Sequence, residues 1–508
     1  MTGHPHAPAD AAVDAALPQR AAEVAAGRAD LVLRGGAVLV MDAAVTRAEA
    51  VAVVGGRIAA VGSSDEIDRW IGDATRVVDL AGRAVLPGIN DSHLHGSWLG
   101  ARWPHTFFGA ADPDAAAQVA GTLVRTREER RAAILRAGRL LASSGITSYT
   151  EPGIGPGEDD GETGCFHSEV LDVYRELAAS GELLQRVTLL SLYGILDGPS
   201  DLSVVRAGIS SHAAGAGEPS ASDPAWLRVP GVKLFGDLIP LSRQAWTDRP
   251  YDDGTHGDLL VRGDTIERRA ADLAEMVRAA HLAGLQVGVH ATGDRTVGLV
   301  LDAIADAEAE PGAPRARDLG HAIIHGDLAT PAQVRRMAEL GVWLNAQAGI
   351  AAQTAEWLAG LMGAGVAAEA WPFAEALAAG VLVLSSDAPV LDFDWRRGVA
   401  DADARIVAGI GGGAGARGGA GVGGGGAEDP AAARARLHGL LRAYTAVPAE
   451  QDRAGGWKGT IEVGKVADLA VLSADPFEVG AARLPELDVD LTVLDGRIVF
   501  ERAAELER

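Results

Sequence analysis

The residues Asp91-Ser92-His93-Leu94-His95 directly follow the apolar run "AVLPGIN". On an extended strand side chains alternate with period two, so a His-x-His pair presents both imidazoles on one face. Two neutral imidazoles on one face can hold one divalent metal ion. The chain has 13 histidines in 508 residues, and the same spacing recurs at His4-Pro5-His6, where no strand pattern surrounds it. Spacing alone therefore decides little, and context selects the pair. That context is a series of further donors, each at the end of an apolar β-run: Lys233 in "GVKLFGD", His290 in "VGVHATGD", His325 in "AIIHGDL" and Asp387 in "VLSSDAPV". Each has a plain structural alternative. A lone histidine at a strand end is commonly a hydrogen-bonded structural residue, Lys233 can snorkel, and Asp387 can cap a helix. The ordered series His-x-His, Lys, His, His, Asp along one chain is much harder to assign to structure alone.

The elements that must position these residues are readable from periodicity. Between residues 87 and 456, β-runs are expected at about 89–94, 145–151, 186–194, 231–237, 285–291, 321–327, 342–347 and 381–389. Most are separated by helical segments such as "TREERRAAILRAGRLLASSG" and "TIERRAADLAEMVRAAHLAG", several of which end in glycine, as a helix C-terminus does. Eight β-runs alternating with helices predict an α/β fold, a (β/α)8 barrel of the TIM type, whose active sites lie at strand C-termini. A doubly wound sheet is the alternative, but no strand–Gly-rich loop–helix phosphate site is found. The flanks differ: "ADLVLRGGAVLV", "AEAVAVVGGRIAAVG" and "TRVVDLAGRAVLPG" near one end, and "KGTIEVGKVADLAVLSADP" and "VDLTVLDGRIVFE" near the other, alternate apolar and polar residues around Gly turns. The two flanks are expected to pair into one small β-sandwich domain. The predicted organisation is an Ala-rich tail (1–28), a composite β-sandwich domain (29–86 plus 457–505) and the barrel (87–456), with a flexible Gly-rich loop at 409–426. That loop contains a formal G-x-G-x-x-G match at Gly413, Gly415 and Gly418, a by-product of its composition rather than a nucleotide site.

Composition narrows the class. Hydrophobic residues at 48% and charged residues at 22% fit a soluble globular enzyme. A net charge of −24 argues against nucleic acid or an anionic membrane as partner. The single cysteine, Cys165, excludes an internal disulfide and a Cys-rich zinc site, so a metal would be held by N and O ligands. The first residues show neither a signal peptide nor a membrane anchor, and the cytoplasm is the expected location. A small-molecule substrate is the expected partner, with a homo-oligomer left open.

The stretches "VLPGINDSHLH", "GVKLFGD", "VHATGDRTV", "SSDAP" and "YTAVPA…KGTIEVGKVADLAVLSADP", spread over most of the chain, resemble the amidohydrolase superfamily. More narrowly the chain resembles the YtcJ-like, amidohydrolase-3 group, which includes N-substituted formamide deformylase. The resemblance implies a metal-bearing barrel with a β-sandwich built from both termini. It carries metal ligation onto His93, His95, His290, His325 and Asp387, and matches Lys233 to a lysine often carbamylated by CO2 to bridge two metals. The implied cofactor is a divalent metal of the zinc type, one or two per chain. The implied reaction is hydrolysis of an amide, formamide or cyclic amide C–N bond by metal-activated hydroxide, with Asp387 moving the proton. Two departures bear on the substrate: the group often has Asp-Gly-Ser where this chain has Asp237-Leu238-Ile239, and "SSDAPV" continues as "LDFDWRR". Trp98, Trp246, Trp343 and Trp395 are candidates to line an aromatic pocket, with ordinary packing as the alternative. Asp294 and Arg295 are read as a helix cap in preference to a substrate contact. Two other readings stay open: a mononuclear relative with unmodified Lys233, and an inactive barrel acting as a binding protein.

Overall fold

The computed structural model describes residues 27–108, 121–215, 223–412 and 429–502. Expectations that fall on residues 1–26, including His4 and His6, and on 413–428 lie outside the described residues.

Eight strands form one parallel sheet that wraps into a nearly closed barrel. They are β6 (Ile89–Asp91), β7 (Ile146–Ile154), β8 (Arg186–Leu192), β9 (Leu227–Phe235), β10 (Gln286–Ala291), β11 (Ala322–His325), β12 (Trp343–Ala346) and β13 (Leu382–Leu384). Each pairs in parallel with its sequence neighbour, in the order β13 to β6. Apart from residues at the ends of β9 and β12, these strands are buried on both faces. That is why the sequence shows them as near-continuous apolar runs rather than as alternation. The helices between them cover the outside. Helix Arg127–Ser143 is started by a capping box, in which Thr126 accepts from the Glu129 amide and Glu129 reaches back to the Thr126 amide. Helix Pro331–Leu340 ends on Gly341 in the left-handed conformation (φ 73°), which a residue without Cβ adopts freely.

The seam between β13 and β6 is stitched at its C-terminal end. The Asp387 amide donates to the His93 carbonyl (2.7 Å), the His95 amide donates to the Ala388 carbonyl (2.8 Å), and Asn345 Nδ2 donates to the Ser92 carbonyl (3.0 Å). The same bonds bring the segment after the last strand against the segment after the first.

The second sheet is built from both flanks, as their texture predicts. It contains β1 (Leu31–Leu39), β2 (Arg47–Val54), β3 (Arg57–Gly62), β4 (Arg76–Asp79), β5 (Ala84–Pro87), β14 (Leu469–Leu472), β15 (Val489–Leu494) and β16 (Arg497–Glu501). The join is the antiparallel pair β5–β14, with Leu86 opposite Ala470. Leu31, Leu33, Val51, Val53, Leu469, Val471, Leu491 and Val493 form its own core. A buried ion cluster ties this sheet to the barrel. Arg186, at the start of β8, donates to Asp468 (2.7 and 3.1 Å) and Asp495 (3.0 Å).

One expectation is corrected. The Gly-rich segment does not begin as a loop, because helix Trp395–Gly412 carries through its first four residues. A glycine costs an established helix only about 1 kcal/mol, which is less than the cost of nucleating a new one, so a long helix can run into a Gly-rich stretch. Among the described residues no helix is long and apolar enough to cross a membrane.

At the opposite end of the barrel from the stitched seam, two buried histidines form a chain whose protons can be assigned. His321 Nδ1 accepts from the Val287 amide (3.0 Å), so His321 Nε2 carries the proton and donates to His281 Nδ1 (3.0 Å). His281 Nε2 then donates to the Pro314 carbonyl (3.0 Å). Both rings are neutral in this arrangement. Burial, then the neighbouring His281, push the His321 pKa down to about 3. A histidine with a depressed folded pKa contributes stability that is full above its unfolded value and is lost as pH falls below it. We therefore expect His321 to account for about 2 kcal/mol of lost stability between pH 7 and pH 5. His321→Asn keeps an acceptor for Val287 and removes the titration. Its urea midpoint should fall correspondingly less over that interval, and identical pH slopes in both proteins would contradict the assignment.

Candidate metal centre

All six candidate residues are buried and reach the C-terminal mouth of the barrel. Lys233 lies on β9, His290 is the penultimate residue of β10, and His325 ends β11. Asp387 follows β13 by three residues. The histidine pair is placed differently from the extended-strand expectation. β6 ends at Asp91, and His95 occupies the N-cap position of helix Gly96–Arg102. The seam bonds and the Leu94 amide, which donates to the Thr150 carbonyl (3.1 Å), pin this segment from both sides. The pair converges through that pinning and not through strand alternation.

The convergence is tight. His93 Nε2 lies 3.2 Å and His95 Nε2 3.4 Å from the same oxygen, Asp387 Oδ1. One ligand atom from each of His93, His95 and Asp387 falls within 4.8 Å of the others. The other imidazoles stand alongside, with ring centroids 5.3 Å apart for His93 and His325 and 4.3 Å apart for His290 and His325. The Lys233 ammonium sits 4.9 Å from the Phe235 ring centroid and has no hydrogen-bond partner among the described residues.

Two residues that the sequence reading did not single out decide the tautomers. Glu151, on β7 and fully buried, receives His95 Nδ1 at 3.1 Å, the Tyr174 hydroxyl at 3.3 Å and the Ser97 amide at 3.4 Å. With its Nδ1 proton committed there, His95 is oriented so that Nε2 faces Asp387. Gln347, directly after β12, works in the same way on His325. Its amide nitrogen donates to Ser385 Oγ (2.8 Å), so its carbonyl oxygen faces His325 Nδ1 (2.7 Å) and accepts a hydrogen bond from the Nδ1–H. The His325 Nε2 lone pair is left for the cavity. Such outer partners orient metal-ligating histidines and raise their basicity. Gly96 permits the arrangement, because a Cβ there would meet the hydroxyls of Tyr149 and Tyr174 at 2.6 and 2.7 Å.

The electrostatics suit a bound cation. For His95, burial lowers the pKa, but hydrogen bonds to Asp387 and Glu151 outweigh it and raise the value to about 9. His93 meets the same carboxylate oxygen yet is pushed down to about 3, by burial first, with Lys233 and His325 adding repulsion. The two rings diverge because His95 lies between two carboxylates and His93 beside one. Burial opposes ionisation of Asp387, but the surrounding histidines hold its pKa well below the carboxylate range. Burial pushes Lys233 down to about 8. His93 Nδ1 and His290 Nε2 are buried without a hydrogen-bond partner. Two imidazole Nε2 atoms converging on one carboxylate oxygen, with an orphaned imidazole nitrogen nearby, fit a divalent metal: His93, His95 and Asp387 could hold one ion, and His290 and His325 a second.

The backbone is strained at the same place. Of ten non-glycine residues with positive φ among the described residues, four line this cavity: Asp197 (48°), His325 (73°), Trp371 (50°) and Asp387 (60°). Such conformations persist only where the surroundings impose them, and they cluster at functional sites.

The aromatic candidates separate. Trp98 lines the cavity, beside His95 at 5.9 Å between ring centroids. Trp343 does not, because it begins β12 and so lies at the far end of the barrel. Trp395 does not, because its indole is fully buried and donates to the Ser144 carbonyl. Trp246 does not line it either. Its amide is tied to Asp237, a buried carboxylate that also accepts from the Thr292 and Gly293 amides and from Thr296 Oγ1, and the Arg295 guanidinium covers its ring. Gly293 takes the cap position of helix Asp294–Glu308, so Asp294 is the first helical residue and not the cap.

Glu151→Gln keeps the shape but cannot hold the His95 Nδ1 proton as an anion does. Metal should be withdrawn by a competing chelator at about 10- to 100-fold lower chelator concentration. An unchanged chelator midpoint would show that Glu151 only fills space.

An eight-stranded parallel barrel with histidines, a lysine and a carboxylate gathered at its C-terminal mouth defines a class, the (β/α)8 barrel enzymes equipped for metal chemistry. The chain belongs to the amidohydrolase family, whose family model matches residues 109–500. It is 25% identical over 586 aligned positions to the N-substituted formamide deformylase of Arthrobacter pascens, covering 93% of this chain and 98% of that one. It is 24% identical over 480 positions to Protein LONG AFTER FAR-RED 3 of Arabidopsis thaliana, covering 74% and 78%. Among solved structures, an uncharacterized metal-dependent hydrolase from Pyrococcus furiosus shares the fold with a TM-score of 0.63 at 20% identity, over 88% of this chain and 99% of that one. An adenosine deaminase from Xanthomonas campestris with bound zinc shares it with a TM-score of 0.57 at 18% identity, over 95% and 97%.

Proposed function

We propose that the protein is a metal-dependent amidohydrolase that cleaves the C–N bond of an amide, formamide or cyclic amide. The observation that carries this reading is the meeting of His93 Nε2 and His95 Nε2 at one oxygen of Asp387, with the His95 tautomer set by Glu151. Zinc is the proposed ion, which His93, His95, His290, His325 and Asp387 would hold, with Lys233 as a carbamate supplying further oxygen donors. When bound, the metal polarises the substrate carbonyl and acidifies water.

The chain's own residues do the rest. Glu151 and Gln347 hold two imidazoles so that their Nε2 atoms face inward. Lys233 is buried beside the Phe235 ring with its pKa pushed down, so its amine is readily neutral, the form that reacts with CO2. Asp387 accepts the proton of the attacking water on a carboxylate oxygen and returns it to the leaving nitrogen. The left-handed backbone at Asp387 and the seam bond from its amide fix where that carboxylate points. A mononuclear form with unmodified Lys233 is the second reading. It is favoured because, among the described residues, the group of three ligands lying within 4.8 Å of one another is His93, His95 and Asp387, without His290.

The test is a panel of N-acyl amines, formamides and cyclic amides offered to the zinc-loaded protein, with amine release as the readout. The reading predicts turnover that chelation abolishes and zinc restores. Turnover that survives complete chelation, or no hydrolysis of any of the three types, would contradict it.

A further inference from the structure

We infer that the cavity above the centre selects uncharged amides carrying an apolar, ring-sized substituent and rejects amides with a carboxylate beside the scissile bond. This rests on the C–N hydrolase reading and narrows it.

The cavity measures about 450 Å³, and its wall is apolar: Trp98, Phe107, Phe235, Ile239, Leu358 and Trp371 are among its lining residues. That volume suits a ligand of a ring and a few further atoms. Phe107 and Ile239 are 46% and 40% exposed, among the most exposed large apolar side chains of the described residues. Folding gains nothing from leaving them open at one mouth, whereas an apolar ligand covers them. Ile239 stands in the very segment where this chain has Asp237-Leu238-Ile239 after the lysine-bearing strand.

Polar groups in the wall point the same way. Apart from the six residues assigned to the centre, the described side chains with polar atoms that line the cavity are Trp98, Asp197, Asp327, Thr354 and Trp371. The Trp98 indole nitrogen is itself buried. Trp371 Nε1 donates to Asp327 Oδ1 at 2.9 Å, and Thr354 Oγ1 donates to the Ile350 carbonyl within its own helix at 2.7 Å. Asp197, at the rim, is left as an exposed carboxylate. Lys233, at the base, is the one lysine or arginine among the described lining residues. Arg102 lies behind the Phe107 ring, 3.9 Å from its centroid, and does not line the cavity. A substrate carboxylate would thus lose water without gaining a guanidinium or ammonium in the wall above the base, and would meet the Asp197 and Asp327 carboxyl groups there. An aromatic or cycloalkyl group would lose nothing and would pack edge or face against the rings.

A matched pair tests this: N-(2-phenylethyl)formamide and N-formylphenylalanine, which differ by one carboxylate. With the zinc-loaded protein, kcat/KM is expected to be at least about 100-fold higher for the first. Equal or reversed values overturn the inference and leave the hydrolase reading standing. Calorimetric titration of both compounds reads the inference separately. Tighter binding of the uncharged compound without hydrolysis supports the selectivity while the hydrolase reading falls, and equal or reversed binding overturns it. Ile239→Arg places a cation in the wall and should narrow the kcat/KM ratio about tenfold. A ratio that does not move counts against the assignment of this wall to the substrate.

Discussion

Asp387→Asn is expected to retain most of its metal and to lose about 1,000-fold in kcat. The substitution keeps an oxygen at the position where His93 and His95 converge, so ligation survives in weakened form. It removes the negative charge and the ability to accept a proton, which are the properties the proposed mechanism uses. The backbone makes it a clean experiment. Asp387 sits at φ 60°, in the left-handed region that asparagine tolerates as well as aspartate does, and its amide can still donate to the His93 carbonyl. A fold that is unchanged by circular dichroism, near-native metal content and lost turnover would assign the loss to proton transfer. An Asp387→Asn protein with near-native kcat would refute that role.

The second large effect belongs to Lys233. Lys233→Ala is expected to lose about 100-fold or more in activity and to regain part of it with a short carboxylic acid such as propionate. The side chain is 2% exposed, and β10 offers only Gly288 opposite it in the strand register, so truncation leaves a hole at the base of the cavity. A small carboxylate can enter that hole and offer the two oxygens that a carbamate would. Lys233→Met is the control, since it fills the volume and leaves no room for the acid. Rescue of the alanine variant alone supports a bridging carbamate. Rescue of neither, with activity lost in both, shifts the account to an unmodified lysine and a mononuclear centre.

The barrel was legible because its strands are buried on both faces. Such strands stand out as short apolar runs closed by glycine, and the polar residue that ends each run marks the functional mouth. His290, His325 and Asp387 carry that signal. Glu151 in "GITSYTEPG" and Gln347 in "VWLNAQ" carry it too, a polar side chain closing an apolar strand. They were passed over because neither belongs to a recognisable ligand spacing. Their partners, His95 and His325, lie 56 and 22 residues away, and only the closed barrel brings them together. Trp98 lines the cavity, and the other three tryptophans lie off it for a different reason. Nearness in sequence to a strand says nothing about which end of it a residue occupies. Trp343 opens its strand, Trp395 turns inward to the Ser144 carbonyl, and Trp246 is held aside by the Asp237 network. The His-x-His pair was recognised for a reason the structure replaces: it converges because the barrel seam pins it, where strand alternation was expected to supply the geometry.

That pair remains the centre of the account, and divalent metal per chain measures it most directly. Elemental analysis of zinc-loaded, desalted protein should give about two ions per chain for the binuclear centre, or about one if Lys233 is unmodified. The double variant His93→Asn/His95→Asn should lose at least one of them. A wild-type protein that retains no ion, or a double variant that retains the full complement, would contradict the metal centre proposed here.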